Sequence, residues 1–576
     1  SNINNLDIKD NNVKNSGSDG VSVDSSEHVG ISGNDIEDSS SNSVSVYDSN
    51  NVNISKNKIE KSGGHGVSLY STKNTKISSN SIKISEGAGI SLGDSENIDI
   101  NDNNITNSSE EGLKGNIVTN ISIINNTVAN NTGNGLSIDV SAYNMTITDN
   151  TFNNNGGSSL YFVYISNSLI NNNKITNSGS NGIYIFSGNY VYGLNDIAIT
   201  NNVIDNCTDS GVFIYNAKNV LIDRNSITNI NEGISIFKST LIKISSNFLG
   251  NVSGRGIYLA DDINEDAFNG SGLIVMYPQY MNIYNNTINN AFYGIELDRF
   301  DGTTITSNII ENCTGDAILI YSSDNFIGYN NISNNKGNGV FLFNSTLQFR
   351  SNNIFDNVGA GVYISLFNSP YMGYMQWNTI FNNKGGGVIL TDSKNLIFHT
   401  NWIYFNKGEG GIFLSNSSNV SVYDNVFVEN NLAVRLYSSD NCSVYDNDFV
   451  NNTVGIVIDS VKNSVFSNSF VGGNEGIVIY GISNIVMDNN LSNIKSNGVS
   501  VFGYGNVVKN NIIGGVKGYA ISLFAYGNNV TYNSLKGNYR GLYVNADENL
   551  FAYNNITSSK YSALVVVGSI NTIKNN

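Results

Sequence analysis

A chain of 576 residues with only 2 prolines has almost nothing that would delete an N–H from a strand ladder. Charge is scarce too: Asp, Glu, Lys and Arg together make up 13%, and acidic residues exceed basic ones to leave a net charge of −17. An acidic surface excludes nucleic acid, whose phosphates require cationic partners. It also disfavours anionic membranes and acidic polysaccharides unless Ca²⁺ bridges the like charges. No apolar run reaches the length of a membrane span, so membrane insertion by this segment is not expected. The 3 cysteines, Cys207, Cys313 and Cys442, are an odd number without metal-ligand spacing. Cys207 and Cys313 occupy equivalent places several repeats apart, out of disulfide reach, and read as small inward-facing apolar residues. No signal peptide opens the chain, which starts and stops inside a repeat; a fragment of a longer precursor is expected.

What is abundant is Asn, at about 18% of the residues, together with 57 Gly. Ile, Val, Leu, Phe and Tyr are spread evenly, so apolar surface is available along the whole chain to offset its ordering, and disorder is excluded. Aligned on itself, the chain repeats an anchor of a small residue, an aliphatic, any residue and another aliphatic. Examples are Gly20-Val21-Ser22-Val23, Gly66-Val67-Ser68-Leu69, Gly182-Ile183-Tyr184-Ile185 and Gly476-Ile477-Val478-Ile479. Each period carries a second element, aliphatic-x-x-Asn-x-aliphatic, as in Ile54 to Ile59 and Val444 to Phe449. Its Asn recurs from Asn11, Asn34 and Asn57 through Asn225 to Asn489, Asn510, Asn533 and Asn554.

Alternation of period two builds short strands with one inward face. Sharp corners between them call for residues that tolerate left-handed backbone, a role that Asn and the anchor Gly are expected to fill. Stacked Asn side chains can also bond from turn to turn, as identical strands do in their amide ladders. Three short strands in a period of roughly 22 residues, without helical stretches, specify an all-β, right-handed parallel β-helix of about 25 coils, a solenoid. Residues 1–576 read as a single such domain.

Against that repeat, the triplet Gly64-His65-Gly66 resembles part of the catalytic signature of the polygalacturonase-like family. That family's Asn-Thr-Asp and Arg-x-Lys elements are missing here, and the one Asp pair, Asp261-Asp262, lies about eight coils away. His65 fills the slot before the anchor Gly, where other repeats carry Asp19, Ala88, Asn134, Asn181, Asn338 and Asn497. It is a tile of the pattern. The Gly-Ile-x-Leu and Ile-x-x-Asn-x-Ile pattern as a whole resembles the NosD-type, periplasmic copper-binding β-helix repeat. An Asn- and Ser-rich array of such repeats is also similar to adhesin-like surface proteins of methanogenic archaea. The resemblance implies the fold and an extracellular or cell-surface setting. It does not carry copper, because 3 His, 3 Cys and 6 Met are scattered along the chain.

The repeat is interrupted at 186–196, 260–281 and 365–376. Over the same region the outward anchor residue changes from Ser to Tyr161, Tyr184, Phe213, Tyr258, Phe341 and Tyr363, and the next outward position adds Tyr215 and Tyr321. Rings on one face at coil spacing are candidates to bind a cell-surface polysaccharide or a partner protein; equally, they can pack on one another. Within this stretch Glu296 and Asp298 share an outward face, roughly 7 Å apart. A carboxylate pair at that distance suits glycosidase chemistry, and with Asp261 and Asp262 it is equally compatible with a Ca²⁺ site or a solvated acidic patch. Sequons such as Asn53, Asn104, Asn144 and Asn251 are no more frequent than this composition yields by chance. The sequence therefore points to an adhesin-like or stalk-forming surface protein. A polysaccharide-active hydrolase or Ca²⁺-dependent lyase, and a passive envelope spacer, are the alternatives.

Overall fold

The computed structural model describes residues 4–187, 194–260 and 280–576. Its contacts form two compact units, residues 1–296 with 300–303, and residues 297–299 with 304–576. Both are built from one repeating coil of three strands, and the chain is a right-handed parallel β-solenoid of about 24 turns. Among the described residues there is no helix.

One coil shows why the sequence folds this way. Val44–Tyr47 is the anchor strand, Asn50–Ser55 the second and Lys58–Ser62 the third. Each pairs in parallel with its counterpart one repeat later, Val67–Tyr70, Lys73–Ser78 and Ser81–Ser85. Val44, Val46, Val52, Ile54 and Ile59 point inward and are buried, so every coil contributes a short apolar layer to a core that continues through the next. Where the aliphatic is exchanged for Phe, the rings stack inside as well: Phe427, Phe449 and Phe470 lie 5.0 and 4.5 Å apart between centroids.

The Asn of each period forms the expected ladder. Asn57 donates from Nδ2 to Asn80 Oδ1 at 3.0 Å and to the Ile31 carbonyl at 2.8 Å, while its backbone N–H reaches the same Oδ1 at 2.9 Å. The amide of such a rung is thus satisfied by the coils beside it, which a buried polar group requires. The ladder runs from Asn11 to Asn286 in the first unit and from Asn308 to Asn576 in the second. Near its end the rung is Asn511, not Asn510.

That slip exposes a misassigned role. The left-handed residue at this corner is the one before the ladder Asn: Lys56, Ser79, Arg224, Tyr329, Trp377, Thr400 and Asn510 all have φ between 54° and 59°. Its side chain turns outward, so the slot accepts almost any residue despite a backbone cost of about 1 kcal/mol. The ladder Asn is selected for its amide, not for its φ. The anchor glycines need correcting likewise. Gly66 lacks a left-handed φ, but a Cβ there would meet Ile82 Cγ2 at 2.4 Å and the Gly89 carbonyl at 2.5 Å. Close packing between coils excludes the side chain.

Two further Asn ladders escaped the sequence reading. Asn335, Asn357, Asn383, Asn406, Asn430 and Asn452 are linked through Oδ1 at the corner after the third strand. Asn463, Asn484, Asn506, Asn528 and Asn549 do the same before the second strand. The three cysteines are buried. Cys313 and Cys442 stand in these ladder slots, their backbone N–H groups donating to Asn335 and Asn463 at 2.9 and 2.8 Å.

Candidate ligand-binding face

His65 follows the logic of the coil. Its Nδ1 accepts the backbone N–H of Ala88 at 2.9 Å, as Asn42 Oδ1 accepts from His65 and Asn134 Oδ1 from Ser158. The slot asks for an acceptor, and imidazole supplies one. Burial holds that imidazole below its usual pKa, against the pull of Glu110, which keeps the nitrogen free to accept.

In the first unit the anchor strands Ile183–Phe186, Ser210–Tyr215, Glu232–Phe237 and Arg255–Ala260 bury their aliphatics and turn aromatic residues outward. Tyr161, Tyr184 and Phe213 stack with centroids 5.0 and 4.9 Å apart and planes within 7°. Phe186 and Tyr215 form a parallel pair at 5.0 Å. The regular ladder breaks where Ser235 follows Phe213 in register; Phe237 leans across the gap, tilted to Phe213 and edge-on to Tyr258, both at 5.4 Å. All these rings are half-buried, and burial raises the phenol pKa of Tyr161 and Tyr184.

The ring series ends under a cation. The Arg255 guanidinium lies 4.0 Å over the Tyr258 ring, its Nε donates to Glu296 Oε2 at 2.7 Å, and its Nη1 sits 3.5 Å from Glu232 Oε1. Glu232 Oε2 also accepts the Arg255 backbone N–H at 2.9 Å. Burial pushes the Glu232 carboxyl above its usual range, against that hydrogen bond and the guanidinium charge. Glu296 is 8% exposed and is tied up as an acceptor. Sequence reasoning missed this hub. The signal was there: Glu232 and Arg255 are opposite charges in the slot before the anchor Gly, one coil apart.

The second unit holds the rest of the series. Phe341 and Tyr363 stack at 5.3 Å with planes 12° apart, and Tyr321 stands tilted 6.3 Å from Phe341. Asp298 lies 3.4 Å from the exposed Arg299. Asp316 accepts from the backbone and Nδ2 of Asn338 at 2.5 and 2.9 Å; burial raises its pKa against those bonds. Asp261 and Asp262 lie outside the described residues, as does most of the 260–281 interruption. Of the 365–376 interruption, Phe367 is turned inward with its N–H on Ser393 Oγ at 3.0 Å, and the segment is exposed at Tyr371.

Set against known proteins, the chain belongs to the family described as right handed beta helix region, which matches residues 1–143, 42–197, 140–265, 263–403 and 432–576. Residues 367–481 also match the periplasmic copper-binding protein NosD. No curated protein matches the sequence. Among solved structures, the periplasmic alginate epimerase AlgG aligns at 12% identity and a TM-score of 0.23, covering 62% of this chain and 77% of that one. A mannuronan C-5 epimerase A-module from Azotobacter vinelandii aligns at 12% and 0.21, covering 80% and 89%. A mutant of a PL6 family alginate lyase aligns at 10% and 0.23, covering 99% and 97%.

The residues of the NosD-like segment do not fit copper. Met375 and Cys442 are buried in the interior, where burial pushes the thiol up to about 11, and His399 stacks outside on Tyr423 at 5.1 Å. Among the described residues no group of three or more His, Cys, Asp or Glu converges, and no helix is long and apolar enough to cross a membrane.

Proposed function

We propose that the protein is an extracellular, cell-surface β-helix of adhesin-like or stalk type, whose ring-bearing face meets a polysaccharide or a partner protein without transforming it. One observation carries this reading: Glu296, the buried carboxylate best placed for acid or base work, is held by Arg255 at 2.7 Å. The guanidinium occupies Oε2, so the carboxylate is engaged as an ion-pair acceptor instead of being presented to a substrate. The same pairing neutralises one of the charges that a Ca²⁺ site would need. The half-buried rings offer edges and ends for contact, which suits a broad, shallow interface.

A glycan array and a polysaccharide-depolymerisation screen, each with and without Ca²⁺, test the reading on the native chain beside a Glu296→Gln/Asp298→Asn variant. Binding without cleavage is expected, unchanged in the variant. Cleavage that disappears in the variant would establish the hydrolase or lyase instead. Silence in every arm would leave a passive spacer.

A further inference from the structure

A second stack of rings in the second unit ends differently. Phe355, Phe381 and Tyr404 occupy the outward position of successive third strands, with centroids 4.8 and 4.7 Å apart and planes within 4°. The next coil carries Val428 in register with Tyr404, so no further ring continues the stack. Beside this step lies an open groove of about 750 Å³, within the range of roughly 300–1,000 Å³ typical of small-molecule sites.

The residue after Tyr404 is the anomaly. At this corner the backbone is left-handed, and the described coils fill it with Asn, Asp, Gly, Ser, Lys or Glu, apart from Ile84 and Phe405. Phe405 is the one ring in that slot among them. It adopts the φ of 56° that this corner imposes and is 45% exposed. It stands edge-on to Tyr404, 5.3 Å away at 80°. Around the two rings the groove is lined by Asp356, Asn382, Lys407, Glu429 and Asn431.

We propose that this groove is a carbohydrate site for an uncharged sugar unit of an oligosaccharide. Two perpendicular rings offer an apolar corner to the C–H face of a pyranose, and amide, ammonium and carboxylate groups at the rim match its hydroxyls. Two carboxylates against one ammonium, on a chain of net charge −17, oppose a uronate polymer. The proposal deepens the binding function above but stands on different residues from the ring-bearing face.

Isothermal titration and saturation-transfer NMR with cellohexaose, mannohexaose, chitohexaose and oligogalacturonate provide the test. Phe405→Asn and Tyr404→Val install what neighbouring coils carry in the same slots, Asn382 and Val428, so the coil is retained; circular dichroism checks it. At least one neutral oligosaccharide should bind, each groove variant should weaken it tenfold or more, and Tyr526→Ser, at a stacked ring outside both the groove and the ring-bearing face, should leave it unchanged. The proposal fails if no neutral oligosaccharide binds, if only the oligogalacturonate does, or if binding survives both groove variants. Binding lost in Tyr184→Ser and kept in the groove variants would sink this site while supporting the ring-bearing face.

Discussion

The rings from Tyr161 to Tyr258 and those from Phe355 to Tyr404 obey the same spacing rule, because both are projected by strands in register one coil apart. They differ in how they stop. The first series tilts across Ser235 and closes under Arg255, whose charge is balanced by Glu232 and Glu296. The second stops at Val428 and is flanked by a ring at a corner that elsewhere favours Asn. A stack of aromatic residues is therefore not uniform along its length: inside it each ring is covered by its neighbours, and what its end meets decides how much of the last ring stays open.

The largest effect should come from the frame both series share. Asn225→Ala removes an amide that bonds Asn247 Oδ1 and the Ile199 carbonyl and accepts from Asn202. Buried groups are left unpaired, and about 3 kcal/mol of unfolding free energy should be lost in a denaturant titration. A loss below about 0.5 kcal/mol, the order expected of surface changes, would show that the ladder is not structural.

Arg255→Ala opens the closed end of the first series. Because its side chain is 35% exposed, the expected loss is about 2 kcal/mol, below the roughly 3–5 kcal/mol of fully buried pairs. The loss should be larger at pH 8 than at pH 5. Burial already raises the Glu232 pKa; without the guanidinium the folded carboxyl binds its proton more tightly than the unfolded one, so stability falls as pH rises. A pH-independent loss would mean that packing, not charge, closes the series.

Within the stacks, Tyr184→Ser removes a ring with neighbours on both faces and should cost about 1 kcal/mol, whereas Tyr404→Val removes one stacked on a single face and should cost about half that. Equal melting shifts for the two would erase the distinction drawn between interior and terminal rings. The smallest effect belongs to His65, whose folded pKa is lowered. Its contribution is fully present above the unfolded value of about 6.5 and is lost as pH falls below it, when the unfolded chain takes up a proton that the folded one resists. His65→Asn keeps an acceptor in the slot, so this part of the pH slope should vanish between pH 7 and 5 in paired melts.

Much of the coil is legible in the residues alone. Anchor strands, the inward aliphatics and the principal Asn ladder follow from period and alternation, since burial of one face leaves each residue type little choice. Lys56 and Trp377 show where that legibility ends: their left-handed backbone leaves no trace in residue identity, because the side chain at that corner points away from the core. Gly66 reads in the sequence as a corner residue, whereas what requires it is the crowding by Ile82 of the following strand. Asn335 and Asn463 were hidden among more than a hundred other Asn residues, since only stacking separates a rung from a surface amide.

By itself, then, the sequence determined the architecture: a short period repeated throughout the chain leaves one way to bury its aliphatics, strand upon strand. The tertiary structure alone decided which polar and aromatic groups are spent on neighbouring coils and which stay open to solvent. Arg255 meets Glu296 across 41 positions, and Phe405 becomes exceptional only beside the corners above and below it. Those are relations between coils, and they depend on distances that no single repeat contains.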